Sequence, residues 1–280
     1  MRALVAGAGG QLGRALQATA PAGVTVIAPP EVEFDITDST VVAAMIAATA
    51  ADIVINAAAY TAVDKAEADA TAAQRINADA VTILAAHAPK LVHISTDFIF
   101  DGTASQPYTP DAVPNPVSVY GATKLAGEIA AGPNALIVRT AWVYAAQGNN
   151  FVHTMLRLMR ERPEIRVVAD QVGTPTHAAG LARALWKLIA ADATGSFHWT
   201  DAGVASWYDF AVAIHEEALE IGLLDSAVTI IPIRTQDYPT PASRPAYSVL
   251  DKTSTWAITG PAAHWRTELR LCLAAMKGAK

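Results

Sequence analysis

Met1-Arg-Ala-Leu-Val-Ala-Gly-Ala-Gly-Gly-Gln-Leu-Gly13 is a short apolar strand that runs into glycines at 7, 10 and 13 and then into helix-forming sequence. Gly7 permits a tight turn off the strand, Gly10 lets backbone approach a pyrophosphate, and Gly13 lets the helix pack close on the sheet. Free N–H groups and the helix dipole at that N-terminus favour negative charge. The spacing is Gly-x-x-Gly-x-x-Gly with Gly9 added, a departure from the usual Gly-x-Gly-x-x-Gly dinucleotide fingerprint. Three glycines after a strand also make an ordinary tight turn. Their place at the head of an alternating β/α half favours a cofactor, with Gly7, Gly10, Gln11, Leu12 and Gly13 as expected contacts.

Outward from this turn, β-branched runs alternate with alanine-rich helical segments. Strands are predicted at Ala3–Ala6, Val24–Ala28, Ile53–Asn56, Leu91–Ser95 and Leu136–Thr140, and helices near 11–19, 39–50, 66–88 and 117–131. Strand–helix alternation at this spacing predicts an α/β fold, a doubly wound parallel sheet of Rossmann type, over residues 1–145. Asn56, Ser95 and Thr140 end strands at the edge where such sheets bind ligands. Beyond residue 145 the pattern loosens. Helices near 150–162 and 177–192, strands at Arg166–Ala169 and Ser196–Trp199, a helix over Ser206–Leu219 capped by Ser206, and a terminal helix from about 262 are predicted. Residues 146–280 read mainly as a smaller C-terminal substrate-binding lobe, with some segments returning to the Rossmann core.

At 280 residues, 52% hydrophobic and 16% charged, the chain has the composition of a folded protein with a large core. No apolar run reaches the roughly 18 residues a spanning helix needs, so no membrane partner is expected. The start enters a strand at once, unlike a signal peptide, and the expected compartment is the cytoplasm. A net charge of −6 without a basic cluster argues against nucleic acid. The single cysteine, Cys272, excludes an internal disulfide and lies between leucines, as an inert buried thiol would. The histidines show no metal-ligand spacing, and no metal is expected. No serine sits in a nucleophile-elbow pattern, so hydrolysis has no support.

Tyr120-Gly-Ala-Thr-Lys124 places a phenol and an amine four residues apart, on one face of a helix. A carbonyl reductase must deliver hydride to carbon and a proton to the developing alkoxide. Tyr120 is the expected proton donor, and Lys124 would lower the phenol's pKa and hold the nicotinamide ribose. Thr96 would bind the carbonyl oxygen, with Ser95 the competing hydroxyl, since side chains alternate along a strand. Alone, Tyr-x-x-x-Lys is weak. Its strength comes from order: glycine turn, strand ending in hydroxyls, then Tyr and Lys on the next helix. Cofactor choice between NADH and NADPH stays open. The second strand ends in Ile27-Ala28-Pro29-Pro30 with neither an acid nor an arginine, and Glu31 and Glu33 follow as surface charges or ribose ligands. Asp35, beside Ile36, is expected near the adenine or as a turn former, and Asp38 as a helix cap.

These segments, with Asn56-Ala-Ala-Ala-Tyr-Thr-Ala-Val-Asp-Lys-Ala-Glu67, Ile94-Ser-Thr-Asp-Phe-Ile-Phe-Asp-Gly102, Arg139-Thr-Ala-Trp-Val-Tyr144, Asp170-Gln-Val-Gly-Thr-Pro-Thr176, Ser206-Trp-Tyr-Asp-Phe210 and the Asp237–Asp251 stretch, resemble the extended short-chain dehydrogenase/reductases. Within that superfamily the chain is similar over its whole length to the dTDP-4-dehydrorhamnose reductase family. The resemblance implies NADPH- or NADH-dependent reduction of a dTDP-linked 4-keto-6-deoxyhexose, with Thr96, Tyr120 and Lys124 as the catalytic trio. It implies cofactor contacts at Ala57, Ala58, Ala59, Tyr60, Asn77 and Ser95. It implies substrate contacts at Thr61, Val63, Thr96, Asp97, Phe98 and Trp142. Phe98 replaces a tyrosine common in relatives and removes a hydroxyl. The Trp142 indole offers a flat face to a sugar or base, or else packs in the core. Arg244 suits a diphosphate or a structural ion pair. Some relatives dimerise around a cation held by glutamates, which cannot be placed here; a monomer or homodimer is expected. The alternatives are reduction of another dTDP-linked ketosugar and a non-catalytic regulatory subunit, which loss of Tyr120 or Lys124 would have favoured.

Overall fold

The computed structural model describes residues 1–278. Its first half carries β1 (Arg2–Ala6), β2 (Thr25–Ile27), β3 (Ile53–Asn56), β4 (Leu91–Thr96) and β5 (Leu136–Thr140), with helices α1 (Gln11–Ala18), α2 (Ser39–Thr49), α3 (Val63–Ala68), α4 (Ala70–Gln74), α5 (Ala80–His87) and α6 (Val119–Ala131). The second half carries β6 (Val143–Tyr144), β7 (Glu164–Val168), β8 (Val172–Gly173), β9 (Thr176–His177), β10 (Gly195–His198), β11 (Ala205–Ser206) and β12 (Thr229–Ile233). Its helices are α7 (Phe151–Glu161), α8 (Ala178–Ala190), α9 (Trp207–Glu220), α10 (Thr253–Thr259) and α11 (Trp265–Gly278).

Six strands form one parallel sheet in the order β2-β1-β3-β4-β5-β10. β1 alternates its side chains into two cores. Ala3 and Val5 meet Leu12 and Leu16 of α1 and Leu181 and Leu185 of α8 on one face. Leu4 and Ala6 meet Val42 and Ile46 of α2 and Val81 and Leu84 of α5 on the other. Each fully buried leucine contributes about 2 kcal/mol. Burial on both faces explains why β3 and β5 read as unbroken apolar runs. β2 and β3 lie on opposite sides of β1, so the carboxyl ends of β1 and β3 open a crevice at the switch point of the sheet.

α8 and β10 return to this sheet, whereas α7, α9 and α11 enclose a second core of Met155, Leu156, Phe210, Ile214, Leu269 and Leu273 beside the parallel β7–β12 pair. β12 has no counterpart in the sequence reading, because Pro232 within it speaks against a strand. β7 begins at Glu164, two residues before the expected Arg166. The helix expected over 66–88 is three helices and a π-helical turn at Arg75–Asp79. Asp69 breaks it: its carboxylate accepts the Ala72 N–H and caps α4. The expected terminal helix starts at Trp265, since 253–259 forms its own short helix. Cys272 is buried, which pushes its thiol up to about 12. Among the described residues no helix is long and apolar enough to cross a membrane.

Candidate active site

The glycine turn leads from β1 into α1. Gly7 has φ +75°, and a Cβ there would stand 2.6 Å from the Ala58 nitrogen, so only glycine lets the turn touch the loop leaving β3. A Cβ on Gly13 would stand 2.2 Å from the Gly7 carbonyl oxygen, which brings α1 down onto the turn. Gly10 caps α1 without any side chain, leaving the first N–H groups of the helix free to meet an anion. Leu12 points into the core, so it can offer a ligand only its backbone. The Gln11 amide oxygen instead accepts from Asn150 Nδ2 at 2.8 Å, and Gln147 accepts from Arg14 at 3.0 Å. The 147–150 loop thus docks on the turn, a contact that sequence reading missed because it joins remote segments.

Asp35 is exposed and its Oδ1 accepts from the Thr37 backbone and hydroxyl at 2.9 and 2.7 Å. Those bonds hold its carboxyl below the usual range. The turn-forming role is therefore present, while Ile36 is buried in the sheet core. Asp38 caps α2 by accepting from the Thr40 and Val41 N–H groups.

At the end of β3 the Ala57 N–H donates to the Ala6 carbonyl at 3.0 Å, tying the half-buried Ala57–Tyr60 loop to the glycine turn. Asn77, expected at the cofactor, lies behind this loop in the π-helical turn. Its Oδ1 accepts the Tyr60 N–H at 2.8 Å, and its Nδ2 donates to the Tyr60 carbonyl and the Thr123 hydroxyl. At 1% exposure with its amide spent, it holds the loop and has nothing left to present to a ligand.

Ser118 caps α6, which puts Tyr120 in the first turn and Lys124 in the second. A Cβ on Gly121 would stand 2.2 Å from the Phe98 carbonyl oxygen, so glycine lets α6 close on the Asp97–Ile99 turn that follows β4. Phe98 meets Tyr120 edge-on at 5.5 Å between ring centroids, and Tyr60, Val63 and Ala66 complete the apolar cluster. The Thr96 hydroxyl accepts from the Phe98 N–H and donates to Asp97 Oδ1. Ser95 Oγ is buried without a partner, on the other side of the strand. Burial pushes the Tyr120 phenol up to about 12, against the pull of the Thr96 hydroxyl and with the push of Asp97. Burial also raises Asp97 to about 6, against the Ser248 and Thr96 hydroxyls. Lys124 is lowered to about 8 by burial, which Glu128 opposes. Nζ of Lys124 donates to the Ile94 carbonyl at 2.6 Å, and burial is the largest influence on both groups.

Toward the second core, Thr61 is exposed and Val63 half-buried at the start of α3. Arg244 forms a bidentate pair with Asp64, at 3.0 and 2.7 Å, and also donates to Thr240. The ion-pair alternative for Arg244 is thus the one present, and it straps the 240s segment to α3. Trp142 has φ +48°, unusual for a bulky residue, and stacks on Trp207 at 3.5 Å between centroids. Trp207 was quoted in a motif but given no role; stacking across segments leaves no local signal. Among the described residues no group of three His, Cys, Asp or Glu side chains could hold a metal ion.

The sequence matches the model of the RmlD substrate binding domain family over residues 1–277. It is 42% identical to a dTDP-4-dehydrorhamnose reductase of Burkholderia thailandensis, with 98% of each chain covered. Among solved structures, a dTDP-4-dehydrorhamnose reductase of Clostridium acetobutylicum superposes with a TM-score of 0.92 at 40% identity, covering 99% of this chain and 100% of the other. The same enzyme of Bacillus anthracis, solved in complex with NADP, gives 0.90 at 35% identity, covering 98% and 99%. With the glycine turn and the Thr96, Tyr120 and Lys124 arrangement in place, the chain belongs to the RmlD substrate-binding-domain family, that of the dTDP-4-dehydrorhamnose reductases.

Proposed function

We propose that this chain reduces the C4 ketone of dTDP-4-dehydro-L-rhamnose to the alcohol of dTDP-L-rhamnose at the expense of NADPH or NADH. The observation that carries the reading is the meeting of Thr96, Tyr120 and Lys124 at the carboxyl end of β4, beside an uncapped helix N-terminus at the switch point of the sheet. The residues present fit a dinucleotide: free N–H groups of α1 are available for its diphosphate, the Ala57–Tyr60 loop is tied to the glycine turn, and Asp35 would meet the adenine. When bound, the nicotinamide supplies a hydride to the ketone carbon. The Tyr120 hydroxyl gives its proton to the oxygen that becomes alkoxide, a contribution of about 10²–10⁴ in rate. The Thr96 hydroxyl orients that oxygen, and Lys124 on the same helix face stabilises the phenolate left behind. The apolar cluster around Tyr120 keeps water from the forming alkoxide. Thr61, Val63, Asp97 and Phe98 would line the sugar pocket. The stacked Trp142 and Trp207 offer an aromatic face, and Arg244 a cation shared with Asp64. Residues 146–280 then act mainly as the substrate lobe, apart from α8 and β10. We further assign the chain to the cytoplasm, as a monomer or homodimer.

The test is nicotinamide absorbance decay with dTDP-4-dehydro-L-rhamnose, using NADH and NADPH in parallel, with the product identified by NMR. Oxidation that yields dTDP-L-rhamnose is expected. Binding of either cofactor without turnover of this sugar would overturn the assignment.

A further inference from the structure

Behind Lys124 runs a file of buried polar side chains to which the mechanism above gives no role. Asn56 on β3, His93 on β4 and Lys124 on α6 are 1%, 0% and 2% exposed. The Asn56 Oδ1 is taken by the Ala58 N–H at 3.2 Å. Its Nδ2, a donor, therefore faces His93 Nδ1, at 3.2 Å. A neutral imidazole carries one proton, so an Nδ1 that accepts leaves the proton on Nε2. Nε2 in turn faces Lys124 Nζ at 3.4 Å. Only the unprotonated amine can accept from Nε2–H; an ammonium there would set N–H against N–H. The other contact of Nζ, the Ile94 carbonyl at 2.6 Å, is satisfied by either form. Glycine at 127 makes room for the arrangement, since a Cβ there would stand 3.2 Å from His93 Nε2 and 2.1 Å from the Asn77 carbonyl oxygen.

We propose that His93, its tautomer set by Asn56, is a positioning residue that holds Lys124 on β4 and lowers its affinity for a proton. It acts through Lys124 and touches neither sugar nor cofactor. Because Asn56 also holds the Ala58 N–H, the ionisation of Lys124 is linked to the loop that flanks the cofactor crevice. Burial keeps His93 neutral, well below the usual histidine range. The remaining ionisable groups around Lys124 are accounted for. Glu128, one turn on along α6, is committed to Arg139 of β5 at 2.8 Å. Tyr120 lies one turn back, and Asp97, in the turn after β4, bonds Thr96. None of them hydrogen-bonds His93 Nε2. The proposal rests on the reductase reading only in giving Lys124 a role in catalysis.

The experiment is nitrogen NMR of the ligand-free protein with labelled histidine. For the unmodified chain it should show the His93 proton on Nε2 and a bare Nδ1. Asn56→Asp replaces the donor with a carboxylate that can only accept. It should move the proton to Nδ1, free Nε2 to accept from an ammonium, and raise the alkaline limb of kcat against pH by about one unit. His93→Phe should lower kcat with KM nearly unchanged, and His93→Gln, whose amide can again point N–H at Nζ, should restore part of it. A wild-type proton on Nδ1 would overturn the proposal. So would an Asn56→Asp protein whose tautomer switches while its pH limb stays put. If the sugar is not turned over, the reductase reading fails, and the tautomer in the unliganded chain still decides this one.

Discussion

Tyr120 and Lys124 occupy one face of one helix, and burial drives both toward their neutral forms, the phenol up to about 12 and the amine down to about 8. The phenol therefore keeps its proton through the neutral range and up to pH 10, so the acid needed for proton transfer is present there. The lysine is what titrates in the working range. It is cationic below about 8 and loses its charge as pH rises through that value. We expect kcat to hold level on the acid side and to fall above about pH 8, which a profile from pH 6 to 10 at saturating substrate would show; a level profile through pH 10 would sink the assignment. Tyr120→Phe should lose about 10²–10⁴ of kcat while the dissociation constant of the cofactor stays within a few-fold, read by fluorescence titration. These two residues and Thr96 were legible because local spacing carries them: four residues make one helical turn, and the hydroxyl ends a strand. The loop-holding contacts of Asn77 and the setting of His93 were not legible, for a common reason. What each side chain does depends on a group delivered from a different element, the Tyr60 backbone for one and the Asn56 side-chain amide for the other.

The device that brings the trio together is the seat of α6 on the turn after β4. Ser118 starts the helix, and the bare Cα of Gly121 admits the Phe98 carbonyl to a distance no Cβ would tolerate. Gly121→Ala must therefore push α6 away from the turn that carries Thr96 and Asp97. The expected cost is about 1–3 kcal/mol in urea unfolding, typical of overpacking, together with a fall in kcat out of proportion to any change in cofactor binding. Wild-type kcat in the Ala variant would show that the seat does not set the geometry. At this scale the strands of the sheet were readable to within a residue or two, since burial on both faces makes them short apolar runs bounded by polar turns. The helix before β4 was not. Alanine-rich sequence reads as one continuous helix, and neither the Asp69 cap nor the π-helical turn at Arg75–Asp79 alters its hydrophobic period. The π-helical turn is nonetheless where Asn77 holds the loop beside the cofactor crevice, in keeping with the tendency of such turns to mark functional sites. β12 escaped because Pro232 interrupts an isoleucine-rich run, and α10 because three threonines fall in seven residues; pairing and packing stabilise both from outside.

The two cores are joined where the sheet's last strand runs out beside β9. There Asp201, three residues past β10, accepts the His177 N–H at 2.9 Å and is 1% exposed. Burial pushes its carboxyl up to about 8, from 3.8 in an unstructured chain. A folded pKa above the unfolded one means that the native state binds the extra proton. Its contribution to stability is complete below about pH 4 and is lost as pH rises through 8. Asp97 follows the same rule but is half titrated at about 6 and contributes little above pH 7. His93 and His198, whose folded values lie below 6.5, act with the opposite sign, their contribution growing as pH rises through that value. Lys124 and Lys252, lowered to about 8 from 10.5, likewise gain stability as pH rises through about 8. These gains offset most of the loss at Asp201 in the whole protein between pH 6.5 and 8, so its share is read against a variant. Asp201 by itself should cost about 1–2 kcal/mol of unfolding free energy across that interval. Asp201→Asn keeps an oxygen for the His177 N–H and removes the ionisation. Its unfolding free energy in urea, less that of the unmodified protein, should grow by about 1–2 kcal/mol from pH 6.5 to 8. If the two proteins follow parallel curves, Asp201 is not the group that makes the junction between the cores sensitive to pH.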